Sequence, residues 1–179
     1  MRADRRSIAI ALLLAFVFGM VSRWMGGHGH SPLGAVRSLS APWLVLPFVA
    51  GALQSSPRRG AVLGLVCTYV ALAGYGLMTA LAGPATQVTP MAPAGYLSHE
   101  RYTFAASLVT GPLFGWFGWN WRSRRAIAGA LVTAAAFCLE PMARQVVEKP
   151  IRFSEVAAAE VATGLALAAV VLIRRTRPA

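Results

Sequence analysis

Six apolar runs fill most of this chain, each bounded by arginine, glycine or proline. A helix crossing the roughly 30 Å hydrocarbon core of a bilayer needs about 20 mostly apolar residues. Lipid offers no hydrogen bonds to an exposed backbone, so such runs fold as helices that satisfy their own N–H and C=O groups. The runs predict helices over residues 7–24, 39–56, 60–83, 102–121, 126–143 and 154–173. The expected fold is all-α: a polytopic membrane protein, a compact bundle of six transmembrane helices, forming one domain over residues 1–179. Composition agrees, since 56% of residues are hydrophobic, 13% are charged and the mean hydropathy is +0.57. Soluble chains average about 25% charged residues. These values exclude a disordered chain, a collagen-like chain and a disulfide scaffold. The first run follows Arg2, Arg5 and Arg6 and has the outline of a secretory signal peptide. Ser22-Arg23-Trp24 stands where a small-x-small cleavage site would be needed, so the run reads as a retained first helix.

The formal net charge is +11 and the pI near 11.4. On a soluble domain that would suggest nucleic acid, which requires clustered positive charge on one face. Here the basic residues form short punctuation between apolar runs, and no nucleic-acid partner is expected. Cytoplasmic segments of membrane proteins collect Lys and Arg. With the N-terminus inside, Arg2, Arg5, Arg6, Arg58, Arg59, Arg122, Arg124, Arg125, Arg174, Arg175 and Arg177 fall inside, eleven of the 17 basic residues. Arg23, Arg37, Arg101, Arg144, Lys149 and Arg152 fall outside. Both termini are therefore expected in the cytoplasm, and the protein in the cytoplasmic (plasma) membrane. Trp116, Trp119 and Trp121 fit an inner interfacial belt, and Trp24 and Trp43 an outer one.

Within lipid, helices associate where small side chains let backbones approach. Ala11, Ala15 and Gly19 share one face of the first helix, which is read either as bundle packing or as a docking face for a membrane-protein partner. Gly60, Gly64, Cys67, Ala71 and Gly74 do the same in the third run, and Ser107, Gly111, Gly115 and Gly118 in the fourth. Pro47 and Pro112 interrupt the second and fourth runs, where kinks are expected. Cys67 and Cys138 read as packing residues. The second-third and fourth-fifth runs look like related hairpins, as a repeat or through shared Ala/Gly composition.

Of the six acidic residues, only Glu140 and Glu160 interrupt apolar runs, and a carboxylate inside a span is a site hypothesis by default. Glu160 shares a face with Ala157, Gly164 and Ala168, which would turn it inward. At 1.5 Å per residue it lies about 9 Å from Ser154, so snorkelling to the outer surface is the competing reading. Glu140 precedes Arg144 by four residues, the favourable order for an ion pair. Tyr75, Thr79, Thr103, Ser107, Thr110 and Thr163 fall in the same outer half. If they converge, they form an outward-facing polar pocket lined by the third to sixth helices, under the Pro-rich segment from Pro84 to Arg101. The candidate ligand-binding residues are Glu160, Glu140, Arg144, Tyr75 and Ser107. His28 and His30 lack a third ligand, so no metal site is expected, and no cofactor is implied. Serine-elbow, zinc-helix and phosphate-loop motifs are missing from the sequence, and no catalytic residue is assigned.

Ser-Ala-Pro-Trp at Ser40, Arg-Arg-Gly-Ala-Val-Leu-Gly at Arg58, Gly-Tyr-Gly at Gly74 and Gly-Pro-Leu-Phe-Gly at Gly111 carry a family resemblance. The chain resembles a family of small uncharacterised bacterial multi-pass membrane proteins, along nearly its whole length. That likeness implies a fold and no activity. Lys149 is the only lysine among the basic residues, which with the Ala, Gly and Pro content suggests a GC-rich genome. In architecture alone the chain is similar to the substrate-binding subunits of energy-coupling-factor transporters, which bind a small solute near the outer surface and dock through small residues of their first helix. The leading expectation is a non-enzymatic protein that binds, or helps translocate, a small solute from the outer face. A structural or regulatory subunit of a membrane complex is the alternative, and an intramembrane enzyme is the third.

Overall fold

Proline and its neighbours punctuate the helices. Pro57 and Pro32 open helices at the first position, where the missing N–H costs nothing and the fixed φ suits the turn. The computed structural model describes residues 5–26, 31–37, 39–81, 95, 100–146 and 154–176. Over these the chain is all-helical: α1 (Arg5–Gly26), α2 (Pro32–Arg37), α3 (Ala41–Ala52), α4 (Pro57–Leu81), α5 (Arg101–Arg124), α6 (Ala128–Val146) and α7 (Ser154–Thr176).

Five of the expected helices lie where the apolar runs put them, with ends differing by a few residues. The second differs more: α3 covers Ala41–Ala52 rather than residues 39–56. Its last turn tightens, with Leu53 N–H donating to Ala50 O at 3.3 Å and Gln54 N–H to Gly51 O at 3.0 Å. Pro57 then disfavours helical backbone in the residue before it. At 1.5 Å per residue, twelve residues reach about 18 Å, short of a hydrocarbon core. The six-residue α2 was not expected; Ser31 starts it by accepting from Gly34 N–H at 3.3 Å.

Among the described residues, three helices are long and apolar enough to cross a membrane: Arg5–Gly26, Pro57–Leu81 and Ser154–Ile173. The other two long helices are more polar. In α5, tryptophans, glycines and hydroxyls dilute the apolar residues, and α6 carries Glu140 and Arg144.

α4 is the centre of the bundle, packed against α1, α3 and α5, while α7 lies chiefly on α6. The approach is very close. A Cβ on Gly51 of α3 would overlap the backbone of Gly115 in α5, and one on Gly19 of α1 would overlap the carbonyl of Ala71 in α4. Ala15, Ala50, Leu63, Cys67 and Ala71 form the buried cluster joining α1, α3 and α4. Phe48, Phe114, Ala130 and Val171 form a second. The small-residue face of α1 is thus covered by α4 within this chain, with Ala15 fully buried. On the outer surface Leu13, Leu14, Val62, Leu108, Val109 and Leu165 each expose more than half of their area. Apolar surface on this scale does not suit water.

Candidate functional site

The N-terminus of α3 organises one end of the bundle. Its N-cap residue, Ser40, makes no side-chain cap, which leaves backbone N–H groups in need of an acceptor. Glu140 of α6, a hundred residues away in sequence, supplies it. Ser40 N–H donates to Glu140 Oε1 at 2.6 Å and to Oε2 at 2.9 Å, and Ala41 N–H donates to Oε2 at 2.7 Å. A carboxylate is the preferred partner there because the helix start carries partial positive charge. Arg144 completes the set, its Nε at 2.8 Å and a terminal nitrogen at 2.7 Å from Glu140 Oε1. The expected i,i+4 ion pair is present despite Pro141, and the same carboxylate also fastens α6 to α3.

Glu160 of α7 points inward, with 3% of its surface exposed. Gly164 one turn further lets α7 settle against Ala134, Phe137 and Cys138 of α6, which carries Glu160 into the interface. Glu140 and Arg144 are near enough to act on it electrostatically. Neither Glu160 oxygen meets a hydrogen-bond donor among the described residues. Glu140, Glu160 and Arg144 therefore form one cluster. Glu160 and Thr163 also line a cavity of about 320 Å³, with Phe137, Val156 and Leu39 as apolar walls and Glu155 at its edge.

Tyr75 and Ser107 belong to a different, larger cavity. About 670 Å³ opens between α2, α3, α4 and α5, walled by Trp43, Leu44, Leu72 and Tyr75, with Ser40 at the α3 end and Glu100 and Tyr102 at the α5 end. Trp43 and Tyr75 meet edge to face, centroids 6.2 Å apart. Thr103, Ser107 and Thr110 form the expected stripe on α5 and all line this cavity, joined by Thr68 of α4. Most of these hydroxyls donate to their own helix: Thr68 to Gly64 O at 2.9 Å, Ser107 to Thr103 O at 2.7 Å and Thr110 to Ala106 O at 3.1 Å. Their proton is used, so what they present to the cavity is oxygen lone pairs. Thr103 donates to Glu100 Oε2 at 2.8 Å, which turns another acceptor group toward the same space. The cavity is an apolar, aromatic slot with a row of acceptors.

Of the five predicted site residues, Tyr75 and Ser107 line the larger cavity and Glu160 the smaller one, whereas Glu140 and Arg144 line neither; Ser40, which lines the larger cavity and donates to Glu140, joins the two sets. His28, His30 and the loop residues Pro84, Pro90, Pro93 and Tyr96 lie outside the described residues. Among the described residues no three His, Cys, Asp or Glu side chains gather as metal ligands would. Two participants were missed. Arg23 reads from sequence as an outer-loop charge, yet it is 6% exposed, and its Nε donates to Thr79 Oγ1 at 3.1 Å. Thr79, at the end of α4, donates in turn to Tyr75 O at 2.9 Å. Trp43 reads as a belt residue, yet it lies against Phe18 and Tyr75 and walls the larger cavity. The signal for Arg23 was its position on the continuing face of Ala15 and Gly19, eight and four residues earlier.

Residues 2–179 match a family described as a family of unknown function, DUF6518. No curated protein and no solved structure matches the chain.

Proposed function

We propose that this chain, which belongs to the DUF6518 family, a family whose function is unknown, captures a small solute from the outer side of the plasma membrane. In this reading α1 and α3 to α7 supply six spans, α3 being the short one, and both termini lie in the cytoplasm. The observation that carries the reading is the cavity of about 670 Å³ at the end of the bundle opposite the Arg58–Arg59 and Arg122–Arg125 turns. Small-molecule sites are concave, mostly apolar, and oriented by a few convergent polar groups. Trp43 and Tyr75 suit a flat or aliphatic body. The row of oxygen acceptors on Thr68, Ser107 and Thr110, with Glu100 beside it, suits a ligand carrying N–H or O–H donors. Glu140 and Arg144 take part by holding Ser40 and so fixing the α3 wall, while Glu160 belongs to the neighbouring cavity.

The test is a thermal-stability screen of purified protein against donor-bearing small solutes. A ligand at a hundred times its Kd stabilises by about 2.7 kcal/mol, which is visible as a raised midpoint. Ser107→Leu fills the slot and removes an acceptor without adding a charge, so it should abolish the shift produced by the hit compound. A hit whose effect persists in Ser107→Leu binds elsewhere, and the larger cavity is then not the capture site.

A further inference from the structure

The opposite end of the bundle carries a feature that solute capture does not use. Two arginines, Arg58 and Arg59, occupy the first turn of α4, and no acidic residue stands there with them. A helix N-terminus already carries about half a positive charge, so it is the place where two cations are least favoured. The described acidic residues cannot offset them across the bundle: Glu100 lies by the larger cavity, and Glu140, Glu155 and Glu160 lie at or beside the smaller one. Just before α4, Ser56 takes up the local N–H groups, its Oγ accepting from Arg59 N–H at 3.3 Å and its O from Gly60 N–H at 2.9 Å. Among the described residues no ion pair holds the guanidinium groups of Arg58 and Arg59.

Beside them is a cavity of about 400 Å³. Gln54 lines it, 7% exposed, and its Nε2 is a buried donor with no acceptor among the described residues. A buried amide N–H without an acceptor is costly, so an oxygen-rich group is the complement this residue lacks. The rest of the lining is apolar: Ile8 of α1, with Val62 and Val66 on successive turns of α4. Val62 is 60% exposed and Val66 38%, so the apolar wall continues onto the outer surface of the bundle. An anionic oxygen group at one end and an open apolar track along a helix at the other is the form of a phospholipid. A free phosphate would account for the arginines and Gln54 but would make no use of the track.

We propose that Gln54, Arg58 and Arg59 bind the phosphate of an anionic phospholipid, with its acyl chain lying along Ile8, Val62 and Val66. The arginines give charge and bidentate geometry, Gln54 gives a neutral donor below them, and the α4 N-terminus adds its partial charge. The site rests on the membrane reading of the chain and is independent of solute capture.

The experiment uses full-length protein in nanodiscs of phosphatidylglycerol and phosphatidylcholine in equal amounts, with the lipids retained after release counted by native mass spectrometry. Wild type is expected to retain phosphatidylglycerol selectively. The double variant Arg58→Gln, Arg59→Gln, on exposed side chains, should lose that selectivity by about fivefold per charge removed. The pair Arg58→Lys, Arg59→Lys should keep most of it, and Gln54→Glu, which sets a carboxylate against the phosphate, should weaken it. Equal retention of the two lipids by wild type, or unchanged retention by the double glutamine variant, overturns the site. Release of phosphatidylglycerol by excess inorganic phosphate assigns the pocket to the free anion and overturns the lipid assignment. A failed solute screen leaves all of these readouts unaffected.

Discussion

Glu140 and Glu160 are the only two carboxylates in the sequence that interrupt apolar runs, and the structure gives them opposite surroundings. Glu140 accepts from two backbone N–H groups and from Arg144, whereas Glu160 meets no donor among the described residues. Their substitutions should therefore diverge. Glu140→Ala uncaps α3 and strands a largely buried arginine, and should destabilise by about 2–4 kcal/mol. Glu160→Gln places an amide donor beside the Glu140 carboxylate and should stabilise by about 1 kcal/mol. Denaturant or thermal unfolding in detergent checks both; equal losses from the two variants would mean that Glu160 is tied down as firmly as Glu140. The Glu140–Arg144 pair was legible from sequence because an i,i+4 relation is local. The bond from Glu140 to Ser40 was not, since no periodicity in either segment reports that the end of α6 meets the start of α3.

Five of the helices were legible because their cause is local too: run length and small-residue spacing are written along the chain, whereas the six-residue α2 was not foreseen. Which small residue faces which is a property of pairs of elements. Gly51 had no marked role in the sequence, yet it is the point where α3 lies on Gly115 of α5. Gly19 likewise meets Ala71, so a face that suggested an external partner is turned into the bundle. Contacts of this kind are backbone to backbone and cannot be relieved by a rotamer change. Gly51→Val or Gly115→Val is expected to force α3 from α5 at a cost of about 3 kcal/mol or more, within the upper range for overpacking. Val62→Ala, on the exposed face of α4, should change the unfolding midpoint little. A Gly115→Val protein as stable as wild type would mean that the α3–α5 crossing is looser than its geometry indicates. The length of α3 escaped the sequence for a related reason. Apolar residues continue to Leu53, and only the tightened last turn before Pro57 shows where the helix stops.

At the scale of the molecule, the described carboxylates are polarised along the bundle. Glu100, Glu140, Glu155 and Glu160 mark one end with the two cavities nearest them, while Arg58, Arg59, Arg122, Arg124 and Arg125 mark the other. Exposed leucines and valines occupy the helix faces between. A cytoplasmic leaflet rich in anionic lipid holds basic ends on its own side, so the arginine end is expected inside and the carboxylate end outside. This orientation decides whether the larger cavity can meet an external solute at all. It is tested by single cysteines in a chain whose own Cys67 and Cys138 are replaced by alanine. Arg101→Cys, at the exposed start of α5, should react with a membrane-impermeant maleimide on intact cells, and Ser123→Cys, at its exposed end, only after permeabilisation. The two positions lie at opposite ends of one helix of 24 residues, about 36 Å long, so in the proposed topology a single span separates them. The reverse labelling would turn the larger cavity toward the cytoplasm and the arginines outward. It would refute capture from outside and remove the anionic leaflet from the Arg58–Arg59 site in the same experiment, because both depend on which way this one bundle stands.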